Sequence, residues 1–160
     1  MDFTSDSFCD GRRFRTLNII DDFSRECLCI EVDTSLSGRR VARVLDGLAC
    51  ERHLPEMIVV DNGPEFTSKA FLAWSEAKSV KVHFIDPGKP VQNAHIESFN
   101  ARFRDECLNE HWFLGLAHAR EIIEAFRKEY NEGRPHSSLG YLTPREFMTA
   151  FGNGARQSSA

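Results

Sequence analysis

A chain of 160 residues with 41% hydrophobic side chains can bury one core of ordinary domain size. Its apolar runs are a few residues long, far short of the roughly 20 needed to span a bilayer, and its acidic, polar start is no secretory signal. A formal charge of −4 argues against a plain basic nucleic-acid footprint, unless the acidic residues are gathered to hold divalent cations. The five cysteines, Cys9, Cys27, Cys29, Cys50 and Cys107, form an odd set without a CxxC pair. They read as reduced thiols of a cytosolic protein, with Cys27 and Cys29 packing on one strand face.

The first 34 residues predict three antiparallel strands. Met1–Phe8 is followed by the turn pair Asp10-Gly11, Phe14–Ile20 by a turn over Asp21–Arg25, and Cys27–Val32 alternates with Leu28, Ile30 and Val32 on one face. The period then changes. Val41, Val44, Leu45 and Leu48 recur at helical spacing after Ser37, and Pro55 follows the end. Met57–Val60 is a short continuous apolar run of the buried parallel-strand type, stopped by Asp61-Asn62-Gly63-Pro64. Ser68 caps a helix carrying Phe71, Leu72 and Trp74; Val80–Ile85 is a further strand and Asp86–Pro90 a loop. A long helix over about Val91–Leu108 carries the core stripe Ile96, Phe99, Phe103 and Cys107. Another covers about Leu116–Asn131 and stops at Gly133. Thr143-Pro144-Arg145-Glu146 is a capping box that starts a last helix through Phe147 and Phe151. Residues 1–151 are therefore expected to form one core and 152–160 a mobile tail. The order describes a mixed five-stranded sheet flanked by helices, an α/β architecture of ribonuclease-H-like type with the first and fourth strands side by side.

Asp61 closes the Met57–Val60 strand, and the carboxyl end of a central strand is where open α/β sheets bind ligands. Taken alone, Asp-Asn-Gly reads first as an Asx turn in which Gly63 supplies a positive φ, and Glu97 changes that balance. Glu97 sits one position off the apolar stripe of its helix, at the edge facing the sheet's rim. Asn93, Asn100 and Arg104 share its face at helical spacing. Such a polar stripe flanked by a cation suits a phosphodiester backbone, though a solvated face has the same composition. Asp6, Asp21 and Asp22 suit turn duty, Glu65 can support the Asp61 turn, and Trp74, Phe99 and Phe103 fall at core spacing. His95 stands beside Glu97 within reach of a general-base role.

Thirty-five residues lie between Asp61 and Glu97. In this spacing, and in Met1-Asp2-Phe3-Thr4, Ile20-Asp21-Asp22-Phe23-Ser24-Arg25, Val60 to Phe66, Asn93 to Asn100, and Tyr130-Asn131 with Arg134 to Tyr141 and Thr143-Pro144, the chain resembles the retroviral-integrase-like DDE transposases of bacterial insertion sequences. The resemblance implies that Asp2, Asp61 and Glu97 are catalytic and bind Mg²⁺ or Mn²⁺. Two such ions about 3.5–4 Å apart suit in-line displacement. It makes Arg104 the basic residue that completes the signature. Asn93, Asn100, Arg104, Arg134 and His136 are the expected DNA contacts, with packing of the C-terminal segment the other role for His136. Transposon ends and target DNA are the implied partners, with a homo-oligomer, no membrane, and a bacterial cytoplasmic, nucleoid-associated setting. The family carries DNA-binding helices upstream, and this chain begins one residue before Asp2. Their absence accounts for the −4, and the chain alone is expected to fold but to join ends poorly. Two other readings stay open, a non-catalytic remnant that keeps the fold and a ribonuclease-H-like nuclease. The Arg134–Gly140 signature favours the transposase lineage over the nuclease.

Overall fold

Strand alternation decides how the two faces of the sheet are used. In the computed structural model, which describes residues 1–86 and 93–157 with side chains through Phe151, β2 (Arg13–Ile20) lies between β1 (Asp2–Ser7) and β3 (Cys27–Asp33) in an antiparallel ladder. Side chains alternate along β2. Phe14 enters one core, with Thr16 and Asn18 buried at the same parity, while Leu17 and Ile19 enter a second core on the opposite face. A bulge interrupts the partner strand, where the register passes from Ile19↔Cys29 to Ile20↔Cys27. The extra residue breaks the expected apolar face of β3. Ile30 and Val32 pack with the first core but Leu28 with the second, and Cys27 and Cys29 go to different cores. All five cysteines are free thiols.

β4 (Met57–Val60) and β5 (Lys81–Phe84) pair in parallel as a separate two-stranded ladder. The link to β1 is one hydrogen bond, from the Met1 amine to the Val59 carbonyl at 2.8 Å. The expected five-stranded sheet is therefore present as ladders of three and two strands. A cavity of about 550 Å³ lies beside that bond, between β2, β4 and the helix that follows β3, and separates the two ladders there.

Helices cover both faces. α1 (Gly38–Glu51), capped by Ser37, and α2 (Lys69–Ala77), capped by Ser68, bury Val41, Leu45, Phe71 and Trp74 over the second core. They approach closely at Gly38, where an added Cβ would stand 2.4 Å from the Glu65 carbonyl oxygen. α3 (Ala94–Phe103) and α4 (Leu116–Glu132) cover the first core with Ile96, Phe99, Phe103 and Ile123. The expected helix from Val91 to Leu108 is α-helical only to Phe103. It widens to a π-helical turn over Arg104–Leu108, which still buries Cys107. Residues 87–92, which hold the rest of the Asp86–Pro90 loop and the first turn expected at Val91, lie outside the described residues. The box at Thr143 and Glu146 forms as expected, with reciprocal bonds of 2.9 and 3.2 Å. α5 (Pro144–Gln157) runs past the expected boundary at Gly152, held by Phe147 and Phe151 against the Phe23 ring. The last three residues of the expected mobile tail, 158–160, lie outside the described residues.

Candidate active site

Strand register aims Asp2 at α3. Asp2 lies opposite Asn18 in the β1–β2 ladder, so the two side chains share the face that α3 covers. Asn100 of α3 closes the group. Its amide donates to Asp2 Oδ2 at 2.8 Å, and its Oδ1 accepts from Asn18 Nδ2 at 2.7 Å. Asp2 Oδ1 accepts from the Phe3 amide at 2.7 Å. Burial raises the Asp2 carboxyl above the usual carboxylate range. The Phe3 amide and the Met1 ammonium oppose that shift, while the charges of Asp61 and Glu97 add to it.

Asp61 follows β4, and its carboxylate folds back to accept the Gly63 amide at 2.9 Å. Gly63 is required here for space, not for a positive φ. The glycines with positive φ are Gly11 and Gly140, whereas a Cβ on Gly63 would lie 2.9 Å from Asp61 Oδ1. Asn62 ties this turn to β5 by donating to the Ile85 carbonyl at 3.0 Å. Glu97, in the first turn of α3, is exposed and makes no side-chain hydrogen bond or ion pair among the described residues. Its place near the helix N-terminus suits a negative charge. Among the described residues, no three His, Cys, Asp or Glu side chains stand close enough together to hold a metal. The three acids thus act on one another through charge without forming a closed ligand set.

The other expected residues divide. Asn93 is buried at the N-cap of α3. Asn100 turns inward to Asp2 instead of outward to a ligand. Arg104 is exposed and has no acidic partner among the described residues. Arg134 is ion-paired with Glu106. His136 is 9% exposed and packs edge-on against Tyr130 with centroids 5.0 Å apart, and its Nε2 has no hydrogen-bond partner. Asp21 performs the turn duty expected of it, accepting from the Ser24 amide and hydroxyl. Glu65 pairs with Arg15 rather than bracing Asp61. Asn18 was not among the expected site residues. Its signal was a lone amide between Leu17 and Ile19 in a strand whose neighbours are apolar.

Integrase core domain models match residues 1–90 and 78–144. The chain belongs to the integrase core domain family. This core domain is 54% identical over 147 residues to an uncharacterized 31.7 kDa protein of insertion element IS407 from Burkholderia multivorans, covering 92% of the chain and 53% of that protein. It is 52% identical over 151 residues to an uncharacterized 39.2 kDa protein of insertion element IS476 from Xanthomonas euvesicatoria, covering 94% and 44%. The chain thus spans about half the length of these two curated relatives. A putative transposase InsD of insertion element IS2E from Escherichia coli K12 is 30% identical over 160 residues, with 90% of the chain and 71% of that protein covered. Among solved structures, the HTLV-2 integrase catalytic core domain in complex with magnesium superposes with TM-score 0.68 at 15% identity, over 91% of this chain and 94% of that one. The BIV integrase catalytic core domain gives 0.65 at 14% identity over 96% of each. These likenesses establish a ribonuclease-H-like α/β fold. Among the described residues, no helix is long and apolar enough to cross a membrane.

The core domain's acids suit a hard divalent cation in kind. Asp2, Asp61 and Glu97 offer carboxylate oxygens, and Asp2, raised by burial and then by the charges of Asp61 and Glu97, is a carboxyl that a nearby cation would favour in its ionised form.

Proposed function

We propose that this integrase core domain cuts and rejoins DNA phosphodiester bonds at transposon ends, with Asp2, Asp61 and Glu97 as its catalytic carboxylates. One observation carries the reading. Asp61 after β4 and Glu97 on α3 lie near enough to Asp2 at the start of β1 that their charges add to the burial that raises its carboxyl. The insertion-element relatives, among them a putative transposase, favour transposition over plain nuclease activity.

In this reading Asp2, Asp61 and Glu97 hold Mg²⁺ or Mn²⁺, two ions in the active complex, which would activate the attacking oxygen and stabilise the leaving one. The chain's own residues do the rest. Asn100 fixes the Asp2 carboxylate through its amide, and Asn18 fixes Asn100. The Gly63 amide orients Asp61. Glu97, exposed on α3, can turn to complete the ligand set when DNA arrives. Arg104, exposed at the end of α3, would steady the substrate backbone. Water attacks a phosphodiester and expels a 3′-OH, which then attacks a phosphodiester of the target strand and expels its 3′ oxygen.

The finer architecture belongs to the same proposal. The two ladders work as one mixed sheet in the order β3-β2-β1-β4-β5, with the Met1–Val59 bond as the junction. Assembly as a homo-oligomer on DNA in the bacterial cytoplasm completes it. The test is Mn²⁺-dependent nicking of transposon-end DNA by the chain and by a version extended upstream as in its longer relatives. Asp61→Asn and Glu97→Gln should each abolish nicking in both forms. Retained nicking in either variant would refute the assignment.

A further inference from the structure

A polar cavity of about 310 Å³ opens between the turn after β2, the flank of α3 and the segment that follows α4. Arg25, Ser98, Arg102, His136, Ser137 and Ser138 line it, and no acidic side chain does. Two buried nitrogens on this lining, Arg25 Nη1 and His136 Nε2, have no hydrogen-bond partner. A buried donor left without an acceptor is costly, and a charged one more so.

The cations here differ from most of the arginines on the molecule, and Arg25 differs also in holding a buried nitrogen without a partner. Arg15, Arg40, Arg52, Arg120, Arg127, Arg134 and Arg145 each pair with a carboxylate. Arg25 and Arg102 have no acidic partner among the described residues. The backbone holds Arg25 in place under strain. Its φ is +61°, a left-handed value fixed by the Arg25 amide bonding the Asp21 carbonyl at 2.8 Å. Burial depresses the His136 imidazole, and the charges of Arg102, Arg134 and Arg25 depress it further, so several positive charges act at this one place.

We propose that this cavity is an oxyanion site that takes one phosphate group of a nucleic-acid backbone, with Arg25, Arg102 and His136 as donors. The proposal rests on the DNA-processing reading above. Donors from three separate elements surround the cavity, which suits a tetrahedral phosphate with acceptor oxygens on several sides. The serine hydroxyls can add neutral bonds. α3 also carries Glu97, one residue from Ser98, so a backbone phosphate seated here would keep the strand beside the carboxylates. Free inorganic phosphate offers the same chemistry as a backbone phosphate, and the experiment separates the two sources.

Inorganic phosphate is titrated into the full chain in metal-free buffer while the His136 imidazole and the Arg25 and Arg102 side chains are followed by NMR. A short DNA duplex is then added. Phosphate should shift these three residues, and the duplex should shift the same three and displace phosphate. Arg102→Ala, at an exposed position, should weaken duplex binding about tenfold and reduce the salt slope by about 0.9, the loss of one phosphate contact. Arg25→Gln should act in the same direction. Phosphate shifts elsewhere, or duplex binding at wild-type strength in both variants, would overturn the proposal. Phosphate binding that the duplex does not displace would make this a free-anion site and overturn the nucleic-acid assignment. Asp61→Asn should remove nicking but leave metal-free duplex binding intact, so failure of the catalytic reading appears in a different assay from failure of the cavity.

Discussion

The carboxylate end and the arginine cavity lie on two flanks of α3 and carry opposite, uncompensated charge. On one flank Asn100 reaches Asp2, and the charges of Asp61 and Glu97 make that carboxyl harder to ionise. On the other, Ser98 and Arg102, one helical turn apart, join Arg25 and His136 around unpartnered nitrogens. Between the flanks the Ile96, Phe99 and Phe103 stripe is buried and holds the helix still. The first region lacks positive charge and the second lacks an anion. On the reading proposed above the first would take metal and the second phosphate, with Asp2 held by Asn100 before any ligand arrives. Arg40, Arg52 and Arg127, in contrast, are matched to acids, and the −4 total conceals the difference.

The comparison can be broken from either side. The largest expected effect is on chemistry. Asp61→Asn or Glu97→Gln should cut nicking about a thousandfold, roughly 4 kcal/mol of lost charge stabilisation, without changing the thermal unfolding midpoint. Next comes the frame that carries both flanks. Asn131 of α4 bonds both backbone groups of Cys27, accepting from its amide at 2.8 Å and donating to its carbonyl at 2.9 Å. Asn131→Ala leaves the buried Cys27 amide without this acceptor, while the Cys27 carbonyl keeps its bond from Arg127 at 3.2 Å, and should lower stability in urea by about 2 kcal/mol. A smaller effect separates positioning from binding. Asn100→Leu should slow nicking about tenfold, by removing one hydrogen bond to a charged group, while metal-free duplex binding is unchanged. Loss of duplex binding would instead make Asn100 a DNA contact.

The smallest effect is a pH dependence on the cavity side. His136 lies below its ordinary imidazole value when folded, through burial and the nearby Arg102, Arg134 and Arg25. The neutral form is therefore favoured in the folded state. Its contribution to stability is present above the unfolded value of about 6.5 and is lost as pH falls through the lower folded value. The melting temperature should drop more steeply below about pH 6.5 in the wild type than in His136→Gln. Equal slopes would remove His136 from the positive cluster.

How far the sequence could be read depends on how local each signal was. The places of Asp61 at a strand end and of Glu97 on a helix were legible because both are written in neighbouring residues, but Glu97 faces solvent, not the sheet's rim as expected, because a position beside the apolar stripe at the first turn of α3 stays uncovered. The core stripe Ile96, Phe99, Phe103 and Cys107 and the Thr143–Glu146 box were legible for the same reason, and all are as expected. The bulge at Leu28 was not, because pairing across two strands decides it. Nor was the inward turn of Asn100, which depends on Asp2 and Asn18, 98 and 82 residues away, lying opposite one another. The arginine cavity was the least legible. Arg25, Arg102 and His136 lie in three distant segments, and Arg102 looked like any solvated helix position until the fold set it beside the other two.

The most direct test of the central claim is where a divalent ion sits. Mn²⁺ added to the chain with a short end duplex broadens NMR signals of nearby nuclei. Broadening centred on Asp2, Asp61 and Glu97, and lost in the Asp61→Asn and Glu97→Gln double variant, is the result the account predicts. Broadening centred elsewhere, or unchanged in the double variant, would contradict it.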